Sequence, residues 1–188
     1  VVACDLDAAF LERCRETVSR FGRPSALSTV HIEDGSSISV PDDSVDAVFS
    51  YITLQHCKAS DALRLTSEAM RIVKPGGYVA LNYRTWVPAD LLLVPAGGVM
   101  RQLWRIPVVG PRLSQWRWST RFGWQANRLD PKRVLSMLEA SGVDLDDVVI
   151  LHHPGKPQKP VTYRGTTVAQ RDLDVANKSH WWLVARSH

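Results

Sequence analysis

Short apolar runs alternate with amphipathic stretches along most of the chain. Residues 1–4 (Val-Val-Ala-Cys) form an apolar run that ends in Asp5-Leu6-Asp7, the pattern of a strand buried on both faces. Asp7 is placed to cap a helix. There Leu11, Cys14, Val18 and Phe21 recur at helical spacing until Gly22 stops it. Residues 29–32 read as a second strand, running into Glu33-Asp34-Gly35, and Pro41-Asp42-Asp43-Ser44 as a turn. Residues 45–52 are a third apolar run. A helix then opens at Ser60-Asp61, carries Leu65, Ala69, Met70 and Val73, and is stopped by Pro75-Gly76-Gly77. Residues 78–83 are the next strand. Strands alternating with helices predict βαβ units and a mainly parallel sheet.

The rhythm breaks over residues 86–127, which read as a cap-like insertion. It resumes with Asp130 as N-cap, Pro131 at the first helical position, and Val134, Leu135 and Leu138 as the apolar stripe of a helix that ends at Gly142. Residues 148–152 are strand-like, 154–178 a polar loop, and 180–185 a final strand. Two closing strands with no helical pattern between them predict an antiparallel pair on an otherwise parallel sheet. The expected architecture is one α/β domain over 1–188, a Rossmann-like doubly wound sheet with a reversed last strand.

Composition narrows the picture. At 188 residues, 45% hydrophobic and 22% charged, the chain has the make-up of an ordinary globular domain with a real core. Its most apolar run, Leu91-Leu92-Leu93-Val94, is cut short by Pro95 and Gly97-Gly98, well below a membrane span. Asp5 and Asp7 interrupt any signal-peptide core. The chain opens on Val1 rather than Met, so its natural start is expected upstream. Cys4, Cys14 and Cys57 show no metal-ligand or redox spacing, and His152-His153 and His180 lack partners for a metal. Reduced thiols in a cytoplasmic protein without a metal are expected. A formal net charge of +4 does not imply nucleic acid.

Several blocks, taken in order, resemble the class I S-adenosylmethionine-dependent methyltransferases, particularly those acting on small molecules. Val1-Val2-Ala3-Cys4-Asp5 before an amphipathic helix looks like the family's second strand. The resemblance then makes Asp5 the acceptor for the ribose hydroxyls of the cofactor; a helix cap or surface charge is the plainer account. Glu33-Asp34-Gly35-Ser36 is similar to the family's adenine-contacting turn, with Asp34 accepting from the adenine amino group and Gly35 leaving its amide accessible. A simple strand-to-helix turn serves equally well. Residues 41–51 followed by Leu54-Gln55-His56 resemble the family's next strand. Ser50 and Tyr51 would lie beside the methyl donor, and His56 would be a candidate general base or a structural histidine. Arg71-Ile72-Val73-Lys74-Pro75-Gly76-Gly77 resembles the family's helix-to-strand turn, whose task is structural. The family's first strand and glycine-rich cofactor loop have no counterpart before Asp5. A segment of roughly 30 residues or more is therefore expected to be absent, leaving unpaired backbone and an opened core.

Between Arg101 and Trp124 lie Arg101, Arg105, Arg112, Arg117 and Arg121, interleaved with Trp104, Trp116 and Trp118 and with no acid. A cap is the favoured reading, its tryptophans walling an acceptor pocket. A lipid or membrane surface comes next, and a nucleic-acid grip last. Arg–Trp stacking with no ligand is the bland alternative. The function expected is methyl transfer from S-adenosylmethionine to an unidentified small molecule, lipophilic or anionic. One rival is a degenerate, non-catalytic binding module. The other is a nicotinamide-dependent Rossmann enzyme, which a reversed last strand would disfavour.

Overall fold

The computed structural model describes residues 1–123, 126–155, 159–174 and 178–188, with backbone alone at 121–123. Trp124 and the side chain of Arg121 therefore lie outside the described residues. Strand β1 (Val2–Asp5) leads through helix α1 (Ala8–Phe21) to β2 (Ser28–His31), and the two strands pair in parallel. Asp7 caps α1 as expected, its carboxylate accepting from the Ala9 amide at 2.8 Å. The stripe of α1 points inward at Leu11, Cys14 and Val18, but Phe21, in the last turn, stays exposed.

A second sheet has the order β3-β4-β9-β5-β8. β3 (Val45–Ser50) connects through α2 (Ala59–Ile72) to the parallel β4 (Val73–Arg84). Helix α2 stops earlier than its apolar spacing suggests. Val73 is the first residue of β4, and it is fully buried. Opposite β3 the register steps from Val45↔Val73 to Ala47↔Tyr78, so Lys74, Pro75, Gly76 and Gly77 bulge out of the ladder. Gly76 takes a φ of 81°. Gly77 is required for a different reason: a Cβ there would lie 2.7 Å from the Asp46 carbonyl oxygen and from Val73 Cγ2.

Between β4 and the end of the chain come α3 (Asp90–Trp104), α4 (Gly110–Ser114) and α5 (Arg117–Gly123), then α6 (Pro131–Ala140) and β5 (Val148–His152). Asp130 caps α6 as expected. The polar stretch 154–178 is less featureless than its composition suggests. It holds a small hairpin, β6 (Thr162–Tyr163) with β7 (Thr166–Thr167), and an edge strand, β8 (Ala169–Asp172), parallel to β5. An edge strand needs few apolar residues, and here only the preceding Val168 is buried, so no alternation announces it.

The last strand, β9 (His180–Arg186), runs antiparallel to both β4 and β5 and separates them. Apart from this reversed strand the sheet is parallel, an α/β Rossmann-like arrangement. The reversal argues against the nicotinamide rival. The core forms where α2 (Ala62, Leu65, Ala69) and α6 (Val134, Leu135, Leu138) pack with the apolar side chains of β4 and β9. Each buried leucine or valine among them contributes about 1.5–3 kcal/mol. Tyr83 is fully buried and satisfies its hydroxyl on Thr66 Oγ1 at 2.6 Å.

The β1–β2 pair is not hydrogen-bonded to the larger sheet. Among the described residues no strand joins β1 to β3, and a cavity of about 690 Å³ lies between them, lined by Val2, Cys4, Ile32, Val45, Ala47 and Leu65 among others.

Gly77→Ala is expected to destabilise the protein by about 1–3 kcal/mol, because the backbone of Asp46 has to move. Urea unfolding measures this, and an unchanged midpoint would show that the close approach is not tight.

Candidate active site

In open parallel sheets ligands gather at the carboxyl ends of the strands, and here two loops meet there. β1 ends at Asp5 and β2 runs on to Asp34. His31 Nε2 lies 3.0 Å from the Leu6 carbonyl, and Leu6 Cδ2 lies 3.4 Å from where a Cβ on Gly35 would be. With a φ of 73°, Gly35 keeps its turn unstrained and the loops in contact. Asp5 is half-buried. Its Oδ1 accepts from the Asp7 amide at 2.9 Å, while among the described residues its Oδ2 accepts no hydrogen bond. Asp34 is more committed. It accepts from the Ser36 and Ser37 amides, both at 2.8 Å, and from the Ser37 hydroxyl at 2.7 Å. That hydroxyl first, then the amides, hold its carboxyl down to about 2. It is ionised at neutral pH, with capacity for one further donor on Oδ2.

At the end of β3, Ser50 is half-buried and lines the cavity with Tyr51. Tyr51 stacks on Trp182, with ring centres 5.5 Å apart and planes 4° off parallel. The next residue, Ile52, has a φ of 64°. A β-branched side chain in the left-handed region is a true outlier and persists only where the surroundings hold it. The holder is Asn82, fully buried in β4. Its Oδ1 accepts from the Ile52 amide at 3.3 Å, and its Nδ2 donates to the Trp181 carbonyl at 3.4 Å. Neither residue was singled out from sequence. The available signal was an asparagine inside the apolar run Val79-Ala80-Leu81-Asn82-Tyr83.

His56 closes a single 3-10 turn (Leu54–His56), with its Nε2 3.2 Å from Gln55 Nε2. Gln55 is buried, and its Oε1 has no partner among the described residues. Asn127 clasps this turn. Its side chain donates to the carbonyls of Leu54 and Cys57 at 2.7 and 2.8 Å, and its amide donates to the Gln55 carbonyl. His180, buried at the start of β9 and in register with Arg84, stands close enough to feel His56. Burial first, then the charges of Arg84 and His56, push its imidazole below the ordinary histidine value.

Beside this group lies Asp90, fully buried at the start of α3. It accepts from Arg84 at 3.0 Å, from Arg128, and from the Val87 amide at 3.0 Å. The Arg128 hydrogen bond is the main reason its carboxyl titrates below the usual range. Arg128 also lies over the Trp86 ring at 5.5 Å. The sequence signal for this clamp was that Asp90 is the lone acid between Glu68 and Asp130.

The three tryptophans of the helical segment part company. Trp104 donates its indole N–H to the buried Ser119 at 2.8 Å, inside the α3–α5 packing. Trp116 and Trp118 are exposed, with ring centres 5.7 Å apart. None of the three lines the cavity that Ser50 and Tyr51 reach.

Residues 1–81 match the model of a family described as methyltransferase domain. Over that part the chain is similar to a methyltransferase domain, and the fold as a whole is Rossmann-like. Three solved structures resemble this fold in outline. A Bacillus halodurans protein with a provisional methyltransferase assignment superposes with a TM-score of 0.57 at 18% identity, over 99% of this chain and 82% of its own. The CurJ carbon methyltransferase gives 0.53 at 15% identity, over 99% and 41%. A Bordetella parapertussis protein described as a possible exported protein gives 0.52 at 14%, over 99% and 52%. The chain thus spans about half the length of the last of these. No curated protein matches the sequence.

Removing the clamped carboxylate with Asp90→Ala leaves two guanidinium groups facing each other and is expected to cost about 3–5 kcal/mol. Acid sensitivity follows from two groups. The lowered His180 value means that the unfolded chain binds its proton first, so stability falls as pH drops below about 6.5. The lowered Asp90 value adds stability that is present above about pH 4 and lost as pH falls through its folded value. Urea midpoints measured from neutral pH downward check both: His180→Asn should flatten the upper part of the decline and leave the lower.

Proposed function

We propose that this protein moves a methyl group from S-adenosylmethionine to a small-molecule acceptor. The observation that supports the reading is the meeting of the Asp5 and Asp34-Gly35 loops at the carboxyl edge of β1 and β2. One partly unused carboxylate and one positive-φ glycine converge there. When bound, S-adenosylmethionine supplies an electrophilic methyl group on a sulfonium sulfur. Asp5, with Oδ2 open, would accept from the ribose hydroxyls. Asp34 would accept from the adenine amino group through its remaining Oδ2 lone pair, while Gly35 presents its amide. Ser50 and Tyr51, at the end of β3, would flank the reacting centre. Holding donor and acceptor in line contributes most of the rate in such a site. His56, seated against Gln55, would be the general base where the acceptor must lose a proton, worth about 10²–10⁴-fold.

Calorimetric titration of S-adenosylhomocysteine into the full-length protein tests the reading. Saturable binding should weaken by about 10- to 100-fold in Asp5→Ala, the loss of a charge-assisted hydrogen bond of about 1.5–3 kcal/mol. The same variant should keep its folded circular dichroism, because among the described residues the Asp5 side chain accepts a hydrogen bond only from the Asp7 amide. A folded protein that does not bind would favour the degenerate reading.

A further inference from the structure

Residues 91–129 contain six arginines and no acid. The acid that opens this stretch, Asp90, is buried between Arg84 and Arg128 and projects no charge outward. Helices α3, α4 and α5 pack chiefly on one another. Contacts among them include Trp104 on Ser119, Ser119 on Met100 Sδ, and Gly110 so close to the Trp104 carbonyl that a Cβ would sit 2.1 Å from it.

What they leave outside is apolar. Leu91 is 74% exposed, Leu92 78% and Val99 62%. At about 100° per residue, Leu91, Leu92, Pro95 and Val99 share one arc of α3, opposite the buried Asp90, Gly97 and half-buried Trp104. Val108 follows in the next turn, and Trp86, Trp116 and Trp118 stand about half out of the surface. Of the eighteen large hydrophobic side chains exposed among the described residues, ten lie between Trp86 and Trp118. A concentration of this kind marks an interaction surface rather than ordinary scatter. Exposed Arg105, Arg112 and Arg117 are interspersed with it.

We propose that this helical segment docks on an anionic phospholipid bilayer. Leu91, Leu92 and Val99 would reach the acyl boundary, the tryptophans would lie at headgroup depth, and the arginines would meet lipid phosphates. The charge decides the occupant: a cationic face without one outward acid complements a negative surface. The aliphatic arc decides it further, because a nucleic acid would engage the arginines and leave the leucines in water. Among the described residues no helix is long and apolar enough to cross a membrane, so the contact is interfacial. The proposal stands apart from the methyl-transfer reading, since bilayer binding is measured without cofactor or acceptor.

Vesicle flotation of the full-length protein tests it. The protein should float with phosphatidylcholine vesicles that contain phosphatidylglycerol, with a blue shift of tryptophan emission, and stay in solution with pure phosphatidylcholine. Arg112→Gln with Arg117→Gln should weaken binding about 25-fold, and added salt should do the same. Leu91→Ser with Leu92→Ser should weaken it at least about 10-fold while near-UV circular dichroism is unchanged, because both side chains are largely solvated. Failure to float with the anionic vesicles would overturn the proposal. So would leucine variants that bind as well as the parent, or duplex DNA held as tightly by those variants as by the parent and more tightly than vesicles are.

Discussion

Strand β9 must satisfy backbone hydrogen bonds on both edges at once, and the rest of the structure is arranged around that demand. Among the described residues it is the one reversed strand of its sheet, seated between β4 and β5. Its first three residues each serve a different part of the molecule. His180 faces the polar group around His56 and Arg84. Trp181 stacks on Tyr83, with ring centres 4.6 Å apart, and donates its indole N–H to the Leu129 carbonyl. Trp182 carries Tyr51 on its face. A one-residue slip of β9 would turn all three to the wrong side of the sheet.

The same strand end explains how a strained backbone is tolerated at the candidate site. Ile52 keeps a left-handed conformation because Asn82 accepts its amide, and Asn82 is held by the Trp181 carbonyl. Strain at the end of β3 is thus opposed by a buried amide anchored in the sheet core. A parallel logic holds the helical segment. Asp90 ties the first turn of α3 to the end of β4 through Arg84 and to the stretch before α6 through Arg128. The segment's outer face therefore carries little of the burden of folding and is left to apolar and cationic side chains.

Much of the candidate site was legible because its members sit where strand patterns end. Asp5, Asp34 and Gly35 follow apolar runs, and the ends of runs are where a sheet opens to ligands. His56 was legible as a histidine just past such a run. Asn82, Asp90 and the pairing of His180 with Arg84 were not, because each role depends on at least one partner 30 to 99 positions away in the chain. Periodicity reports which way a side chain faces but not what it meets. Trp104 shows the same limit. Grouped by sequence with Trp116 and Trp118, it differs from them because the buried Ser119 receives its N–H.

The sequence by itself determined the order of strands and helices outside residues 86–127 and 154–178, the caps at Asp7 and Asp130, and the reversed ending. Each of these follows from local backbone chemistry and from burial that repeats at a fixed period. Val73 and the polar edge strand β8 escaped it, since a helix stripe and a strand's first residue can look alike and an edge strand needs no alternation. The tertiary structure alone decided that the strand register bulges at Lys74–Gly77, that two arginines share one buried carboxylate, and that the cationic helices turn leucine and valine outward. Those outcomes depend on which long-range partner fills each hydrogen bond and each volume, and adjacency in the chain carries no record of that.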